Sequence, residues 1–211
     1  HRAGAPSLDH LRRSTLLSRE QLESRLHIDL SRSTILVAYH PVTIERDTLL
    51  ETDALFSALA SLPDQIVFCH PNADAGSRAL IERGRSFLAS ENRARSFVNL
   101  DPLVYWSLLR QMTLMLGNSS SGIMETPSFA LPTVNIGLRQ QGRERARNIL
   151  DAAPDAASIL DAVQRARSSE FQNSLAGMTN PYGDGHASET IVDVLTCAPL
   201  GQKLLMKRSL P

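Results

Sequence analysis

The sequence has no long uninterrupted hydrophobic run and no excess of charge of either sign. No apolar stretch reaches the ~18 residues that a membrane-spanning helix needs, so we predict no membrane partner. The 22 Lys and Arg residues are balanced by 22 Asp and Glu residues. A nonspecific nucleic-acid binder would need a basic excess, and we therefore predict no nucleic-acid partner either.

Cysteine is scarce as well. Cys69 and Cys197 lie far apart and form no CxxC pair, so we interpret both as buried thiols and predict neither a disulfide nor a metal site. The sequence has no recognisable signal peptide and begins with His1 instead of methionine. From these features we expect a cytoplasmic location and a chain cut from a longer protein.

Hydrophobic segments of two kinds alternate along the 211 residues, of which 42% are hydrophobic and 21% charged. Short, continuous apolar runs predict strands at 33–40, 65–70, 94–100, 113–117 and 131–137. Segments with helical spacing predict helices at 49–62, 78–88, 102–110, 155–166 and 187–195. Buried strands that alternate with helices are typical of a parallel sheet. We therefore predict an α/β fold, a Rossmann-like parallel sheet with helices on both faces.

Unusual polar residues follow the predicted strands directly. Ligands of open parallel sheets bind beyond the carboxyl ends of the strands. The residues at these five ends are His40, Asn72, Leu100 with Asp101, the triplet Ser119–Ser121 with Glu125, and Arg139. The set suits a nucleotide, because hydroxyl and N–H groups bind phosphate, a carboxylate binds ribose hydroxyls and an apolar edge receives the base.

The turn Gly117–Gly122 is the most informative of these segments. A strand, a Gly/Ser turn and a helix start predict several free backbone N–H groups at a helix N-terminus, where an anion binds well. Arginines after the next strand, starting at Arg139, would add phosphate donors. The alternative is that the serines only cap the helix.

Simpler interpretations exist for the other residues too. His40 could bond a carbonyl at a strand end, Asn72 could form an Asx-turn, and Glu125 could balance a helix dipole. Trp106 on an amphipathic helix is better explained by packing than by base stacking. The shared position at strand ends is what favours a joint nucleotide site.

Four stretches resemble one family. The segment GNSSSGIMETPSFALPTVNIGLRQQGRERARNIL is similar to the signature of hydrolysing UDP-N-acetylglucosamine 2-epimerases, which open sialic-acid and related pathways, and YHPVT, HPNADAGSR and PYGDGHAS resemble further motifs in order. The resemblance implies the C-terminal half of a GT-B-type two-domain fold, with the N-terminal catalytic domain absent. Its implied divisions are a junction and leading helix at 1–32, a UDP-binding domain at 33–197 and a tail at 198–211.

The resemblance also implies roles for single residues, and neither a metal nor a cofactor. His40 is expected near the phosphates and the reaction centre, and is the implied catalytic residue. The implied UDP contacts are His40, Asn72, the Leu100 backbone at the uracil, Ser119 and Ser120 at phosphate, Glu125 at the ribose and Arg139 beside the nucleotide.

The implied reaction converts UDP-N-acetylglucosamine and water to N-acetylmannosamine and UDP, through UDP elimination and glycal hydration. We expect the isolated chain to be inactive, and the full-length protein to be a homo-oligomer. Three alternatives remain: the nucleotide-sugar-binding half of a GT-B glycosyltransferase, a non-hydrolysing UDP-N-acetylglucosamine 2-epimerase, and a non-catalytic binding module. The sequence leaves open whether the sugar is N-acetylglucosamine or a diacetylated, bacillosamine-type sugar.

Overall fold

Six parallel strands form one sheet in a computed structural model that describes residues 1–40, 48–70, 77–199 and 201–205. The strands are β1 (Thr34–Ala38), β2 (Gln65–Cys69), β3 (Ala94–Phe97), β4 (Leu114–Gly117), β5 (Thr133–Ile136) and β6 (Ile149–Ala152). Their order across the sheet is β3-β2-β1-β4-β5-β6. The direction of winding reverses between β1 and β4, which is where such sheets form a ligand crevice. The predicted Rossmann-like parallel sheet is confirmed.

Helices connect the strands within the described ranges. They are α1 (Pro6–Arg13), α2 (Arg19–Leu26), α3 (Thr48–Ala60), α4 (Ser77–Ser90), α5 (Pro102–Gln111), α6 (Ser121–Met124), α7 (Ala156–Arg167), α8 (Ser169–Ser174), α9 (Ala187–Cys197) and α10 (Gln202–Leu205), with a 3₁₀ turn at Thr126–Phe129. Side-chain caps set several starts: Asp155 accepts from the Ser158 N–H before α7, and Asp101 accepts from the Leu103 N–H before α5.

The chain divides into two units, Thr15–Pro181 and the pair of segments His1–Ser14 with Tyr182–Pro211. The sheet belongs to the first unit. All five residues of β1 are buried, and the core around it takes Leu55 and Leu59 from α3 and Ile159 and Val163 from α7. Trp106 is 4% exposed, which confirms its predicted packing role. The predicted domain boundaries at 32/33 and 197/198 stay a prediction.

In the second unit, a side chain of α1 caps the N-terminus of α9. The Asp9 carboxylate accepts hydrogen bonds from the backbone N–H groups of Ala187 and Ser188, at 2.9 and 2.6 Å. The Ser188 hydroxyl, followed by these N–H groups, holds the pKa of Asp9 below its usual value. Asp9 therefore caps the N-terminus of α9, which directly follows the turn in PYGDGHAS.

The structure corrects three of the predictions made from the sequence. β6 was not predicted, because Ile149–Ala152 is short and only half-buried at the sheet edge. β3 is the opposite edge strand, and Arg95 and Ser96 are exposed in it, so it is not the continuous apolar run that we expected. The third correction concerns the thiols: Cys197 is exposed and only Cys69 is partly buried.

Candidate functional site

A pocket of about 340 Å³ lies at the carboxyl edge of the sheet, where the winding reverses. Ends of β1, β2, β3 and β4 and the loop after β5 contribute to it. Its described lining is Ala38, His40, Cys69, His70, Phe97, Asn99, Leu100, Tyr105, Ser119, Ser120, Ser121 and Arg139. Parallel strands bring these residues together because all their carboxyl ends meet at one edge.

Five of the seven predicted site residues line this pocket: His40, Leu100, Ser119, Ser120 and Arg139. Glu125 is half-buried and is not part of the described lining, but its carboxylate accepts a hydrogen bond from the pocket residue Ser121 at 2.6 Å. The predicted Asn72 lies outside the described residues. The structure thus brings together all the predicted residues that it describes, with Glu125 hydrogen-bonded to the lining residue Ser121.

Gly117 allows β4 to turn into the pocket. Its φ is 141°, and a Cβ on this residue would lie 2.1 Å from the carbonyl oxygen of Ala38. The same Ala38 carbonyl accepts from the N–H groups of Asn118 and Ser119, each at 3.2 Å. Only glycine therefore lets the turn close this tightly onto the end of β1.

The expectation of several free N–H groups in this turn is wrong. The N–H groups of Gly122 and Ile123 bond the carbonyls of Ser119 and Ser120, and the Ser121 N–H points to the Ser119 hydroxyl. Among the described residues only the Ser120 N–H of this turn lacks an acceptor. Since α6 has just four residues, its dipole is also small. The serine hydroxyls are what the turn presents to the pocket.

Asn118 holds the pieces of the pocket together. It is fully buried; its side-chain oxygen accepts from the His40 N–H at 2.7 Å, and its side-chain amide donates to the His40 carbonyl at 2.8 Å. Its own carbonyl accepts from Arg139 at 3.0 Å and from Gln140 at 2.7 Å. One residue thus connects the ends of β1 and β4 with the loop after β5.

The electrostatics of the pocket favour an anion. Arg139 supplies a guanidinium, and no Asp or Glu occurs in the described lining. Burial, followed by the charge of Arg85, lowers the pKa of His70, so we expect a neutral imidazole at pH 7. Burial raises the pKa of Cys69 to about 12 and also raises the pKa of Tyr105. Both side chains consequently stay protonated and add no negative charge beside Arg139 in the described lining.

The arginines after Arg139 have separate roles. Arg145 pairs with Asp151 at 2.8 Å, and Asp151 also accepts from Asn135 at 2.7 Å, so this pair fastens the loop to β5 and β6. Arg143 and Arg147 are exposed. Arg139 is the member that the loop directs into the pocket.

Sequence reasoning missed Asn118 and Tyr105, and it did not separate the role of Ser121 from the roles of Ser119 and Ser120. Asn118 follows a buried strand directly, and a polar residue with no solvent at such a position must find partners, which was an available signal. Tyr105 belongs to a helix between two strands, and nothing in its local pattern indicates that it faces the pocket. Ser121 had been grouped with its neighbours because the triplet looks uniform in sequence.

No helix among the described residues is long and apolar enough to cross a bilayer. No group of three or more His, Cys, Asp or Glu side chains in the described ranges is arranged to hold a metal ion.

Comparison with known proteins identifies the family. The family model described as UDP-N-acetylglucosamine 2-epimerase matches residues 1–196. A Legionella pneumophila UDP-N,N′-diacetylbacillosamine 2-epimerase (hydrolyzing) is 31% identical over 205 residues, which are 97% of this chain and 53% of that protein. A Campylobacter jejuni GDP/UDP-N,N′-diacetylbacillosamine 2-epimerase (hydrolyzing) is 32% identical over 167 residues, 78% of this chain and 43% of that protein.

Solved structures agree in fold. S. aureus MnaA, solved with UDP, matches 92% of this chain and 52% of its own, with a TM-score of 0.71 and 20% identity. The Neisseria meningitidis UDP-GlcNAc 2-epimerase bound to UDP-GlcNAc matches 90% of this chain and 51% of its own, with a TM-score of 0.67 and 21% identity. These neighbours confirm the GT-B-type fold class.

The chain spans about half the length of the curated relatives it matches. Hydrolysing enzymes are among these relatives, in agreement with the predicted resemblance. The match to the family model covers nearly all of the sequence. The chain therefore belongs to the UDP-N-acetylglucosamine 2-epimerase family.

Proposed function

We propose that this chain is the UDP-binding part of a hydrolysing UDP-N-acetylglucosamine 2-epimerase. The observation that carries the proposal is the pocket at the switch point, where Arg139, His40 and the serine hydroxyls converge with no carboxylate in the described lining. An anion with several oxygens suits this set, because hydroxyls and a guanidinium are phosphate donors. The apolar wall at Phe97 and Leu100 suits a base.

Each predicted residue receives a part in this proposal. Ser119 and Ser120 donate to the diphosphate, and Arg139 compensates its charge. His40 lies at the phosphates and the reaction centre, as the catalytic residue of this half. Two further roles complete the set: the Leu100 backbone meets the uracil and Glu125 holds the ribose hydroxyls. Asn72 remains a proposed UDP contact outside the described residues.

The proposed reaction starts with removal of the C2 proton and departure of UDP, which gives a glycal, and water then adds with inversion at C2. Both proton transfers need a positioned acid or base. Departure of UDP develops negative charge on its phosphate, and the serines with Arg139 would stabilise that charge where it forms. We propose a cytoplasmic homo-oligomer for the full-length enzyme.

The two serines provide the direct test of UDP binding. We expect calorimetry to detect UDP binding by the 211-residue chain, and the double variant Ser119→Ala/Ser120→Ala to lose measurable binding. Two hydrogen bonds to a desolvated phosphate contribute about 3 kcal/mol or more, which is over 100-fold in affinity. The double variant Ser61→Ala/Ser174→Ala removes two exposed hydroxyls outside the pocket and should bind like the wild type. UDP binding that survives in the first variant would contradict the proposal.

The isolated chain should not turn over substrate. The family resemblance implies that the catalytic carboxylates belong to a different domain, so the base for the C2 proton would be missing. We expect no release of N-acetylmannosamine from UDP-N-acetylglucosamine by the purified chain, measured by a coupled assay. Multiple turnovers would refute this part of the proposal.

The full-length protein would separate the alternatives. An epimerase releases free N-acetylmannosamine or its diacetylated counterpart without any acceptor sugar, whereas a glycosyltransferase needs an acceptor. A non-hydrolysing epimerase leaves its product linked to UDP. Supplying UDP-N-acetylglucosamine and UDP-N,N′-diacetylbacillosamine in parallel would identify the sugar.

A further inference from the structure

We infer that Ser121 is a positioning residue that, together with Tyr105, aims the Glu125 carboxylate and thereby sets the preference of the pocket for ribose over deoxyribose. This inference rests on the proposed function. It assigns to the third serine of the triplet a role different from the phosphate contacts of the first two.

The hydrogen bonds of Ser121 have a defined direction. Its hydroxyl donates to the Glu125 carboxylate at 2.6 Å and accepts from the Tyr105 hydroxyl at 3.0 Å. A serine hydroxyl has one proton, and here that proton is already used. Ser121 consequently has no proton left for a phosphate, although its side chain lines the pocket.

Local geometry explains why these two residues meet. Ser121 begins α6 and Glu125 follows one turn later, so both side chains lie on the same side of the helix. The Glu125 N–H also bonds the Ser121 carbonyl at 2.9 Å. Backbone and side chain of Glu125 are therefore both held by Ser121, which restricts the rotamers that the carboxylate can occupy.

Tyr105 supplies the other end of this chain of bonds. It extends from α5 to the pocket wall, and burial is the main cause that raises its pKa, so the phenol keeps its proton and stays a donor. With Tyr105 donating to one lone pair of the Ser121 hydroxyl, the single Ser121 proton is directed to Glu125. The order of donation thus runs from Tyr105 through Ser121 to the carboxylate.

A carboxylate held in this way retains acceptor capacity. Glu125 uses one oxygen for Ser121, and a carboxylate accepts about four hydrogen bonds in total. The remaining sites suit two adjacent hydroxyls, which a ribose presents and a 2′-deoxyribose does not. A phosphate-donor role for Ser121 predicts equal losses for ribo- and deoxyribonucleotides, whereas the positioning role predicts a larger loss for the ribonucleotide, because the deoxyribonucleotide has only the 3′ hydroxyl to lose as a partner of Glu125.

Calorimetry on the 211-residue chain with UDP and 2′-deoxy-UDP tests the inference. We expect the wild type to prefer UDP by about 10-fold or more, since a hydrogen bond to a charged group contributes that much. Ser121→Ala should reduce the preference to within about 2-fold, with the affinity for UDP falling more than the affinity for 2′-deoxy-UDP. Tyr105→Phe should give an intermediate ratio, and Ser121→Thr, which keeps the hydroxyl, should retain the preference.

Reference variants separate the possible failures. Glu125→Gln should abolish the preference as Ser121→Ala does, and Ser119→Ala should weaken both nucleotides equally. An unchanged preference in Ser121→Ala, or a wild type that binds both nucleotides alike, would overturn the inference while UDP binding itself stands. A wild type that binds no UDP would overturn the proposed function and this inference together. Circular dichroism of each variant verifies that it is folded.

Discussion

Replacing Gly117 with alanine is expected to destabilise the protein by about 4 kcal/mol or more. The added Cβ would lie 2.1 Å from the Ala38 carbonyl oxygen, and the φ of 141° is unfavourable for a side chain. Neither problem can be relieved by rotating a side chain, because the group that it meets is backbone. Urea unfolding followed by circular dichroism measures the loss.

Gly142→Ala is the matched control for this prediction. Gly142 also has a positive φ, 83°, yet a Cβ there meets nothing within 4 Å. Its replacement by alanine should lower the free energy of unfolding by only about 1–2 kcal/mol, which is the cost of holding a side-chain residue at a positive φ. The difference between the two variants isolates the contact between β4 and β1. Equal losses would show that the turn can open without disturbing the sheet.

Replacing Asn118 with alanine is expected to lower both stability and UDP affinity. The substitution removes both side-chain bonds to the His40 backbone and should cost about 2–4 kcal/mol of unfolding free energy. UDP affinity should fall by about 10-fold or more in the variant that remains folded, because His40 and the serine turn lose their common anchor. Chemical denaturation and calorimetry on the same preparation give the two values.

Asn148→Ala distinguishes positioning from general stability. Asn148 is also fully buried, and its amide donates to Thr126 at 3.0 Å and to the Leu131 carbonyl at 2.7 Å, none of which line the pocket. We expect a similar loss of stability with UDP affinity within about 2-fold of the wild type. The role of Asn118 is refuted if both variants weaken UDP binding equally.

Local patterns predicted the elements well where burial is strong. β1, β4 and β5 are buried along their whole length, and Asp155 caps α7 through the N–H of its near neighbour Ser158. Edge strands are harder to predict, because one side of each lacks a partner strand and burial no longer demands an apolar sequence. For this reason β6 was missed and β3 was expected to be longer and more apolar than it is.

The candidate site was partly predictable for a related reason. Strand ends can be counted along the sequence, and the parallel arrangement then brings His40, Leu100, Ser119 and Arg139 to one edge without further information. The number of free N–H groups in the serine turn could not be predicted, since it depends on how closely Gly117 approaches Ala38. Backbone contacts between strands distant in sequence leave no local pattern.

The sequence by itself determined the parallel α/β fold, the family and the polar residues at the strand ends, because periodicity and motif order are local properties. Tertiary structure alone decided which hydrogen-bond partner each polar residue has. Asn118 holds three strand ends together, and Ser121 turns its proton to Glu125 instead of the pocket. Such assignments depend on distances between segments that meet only after folding, and hydrogen bonds form only at short range and in a defined direction.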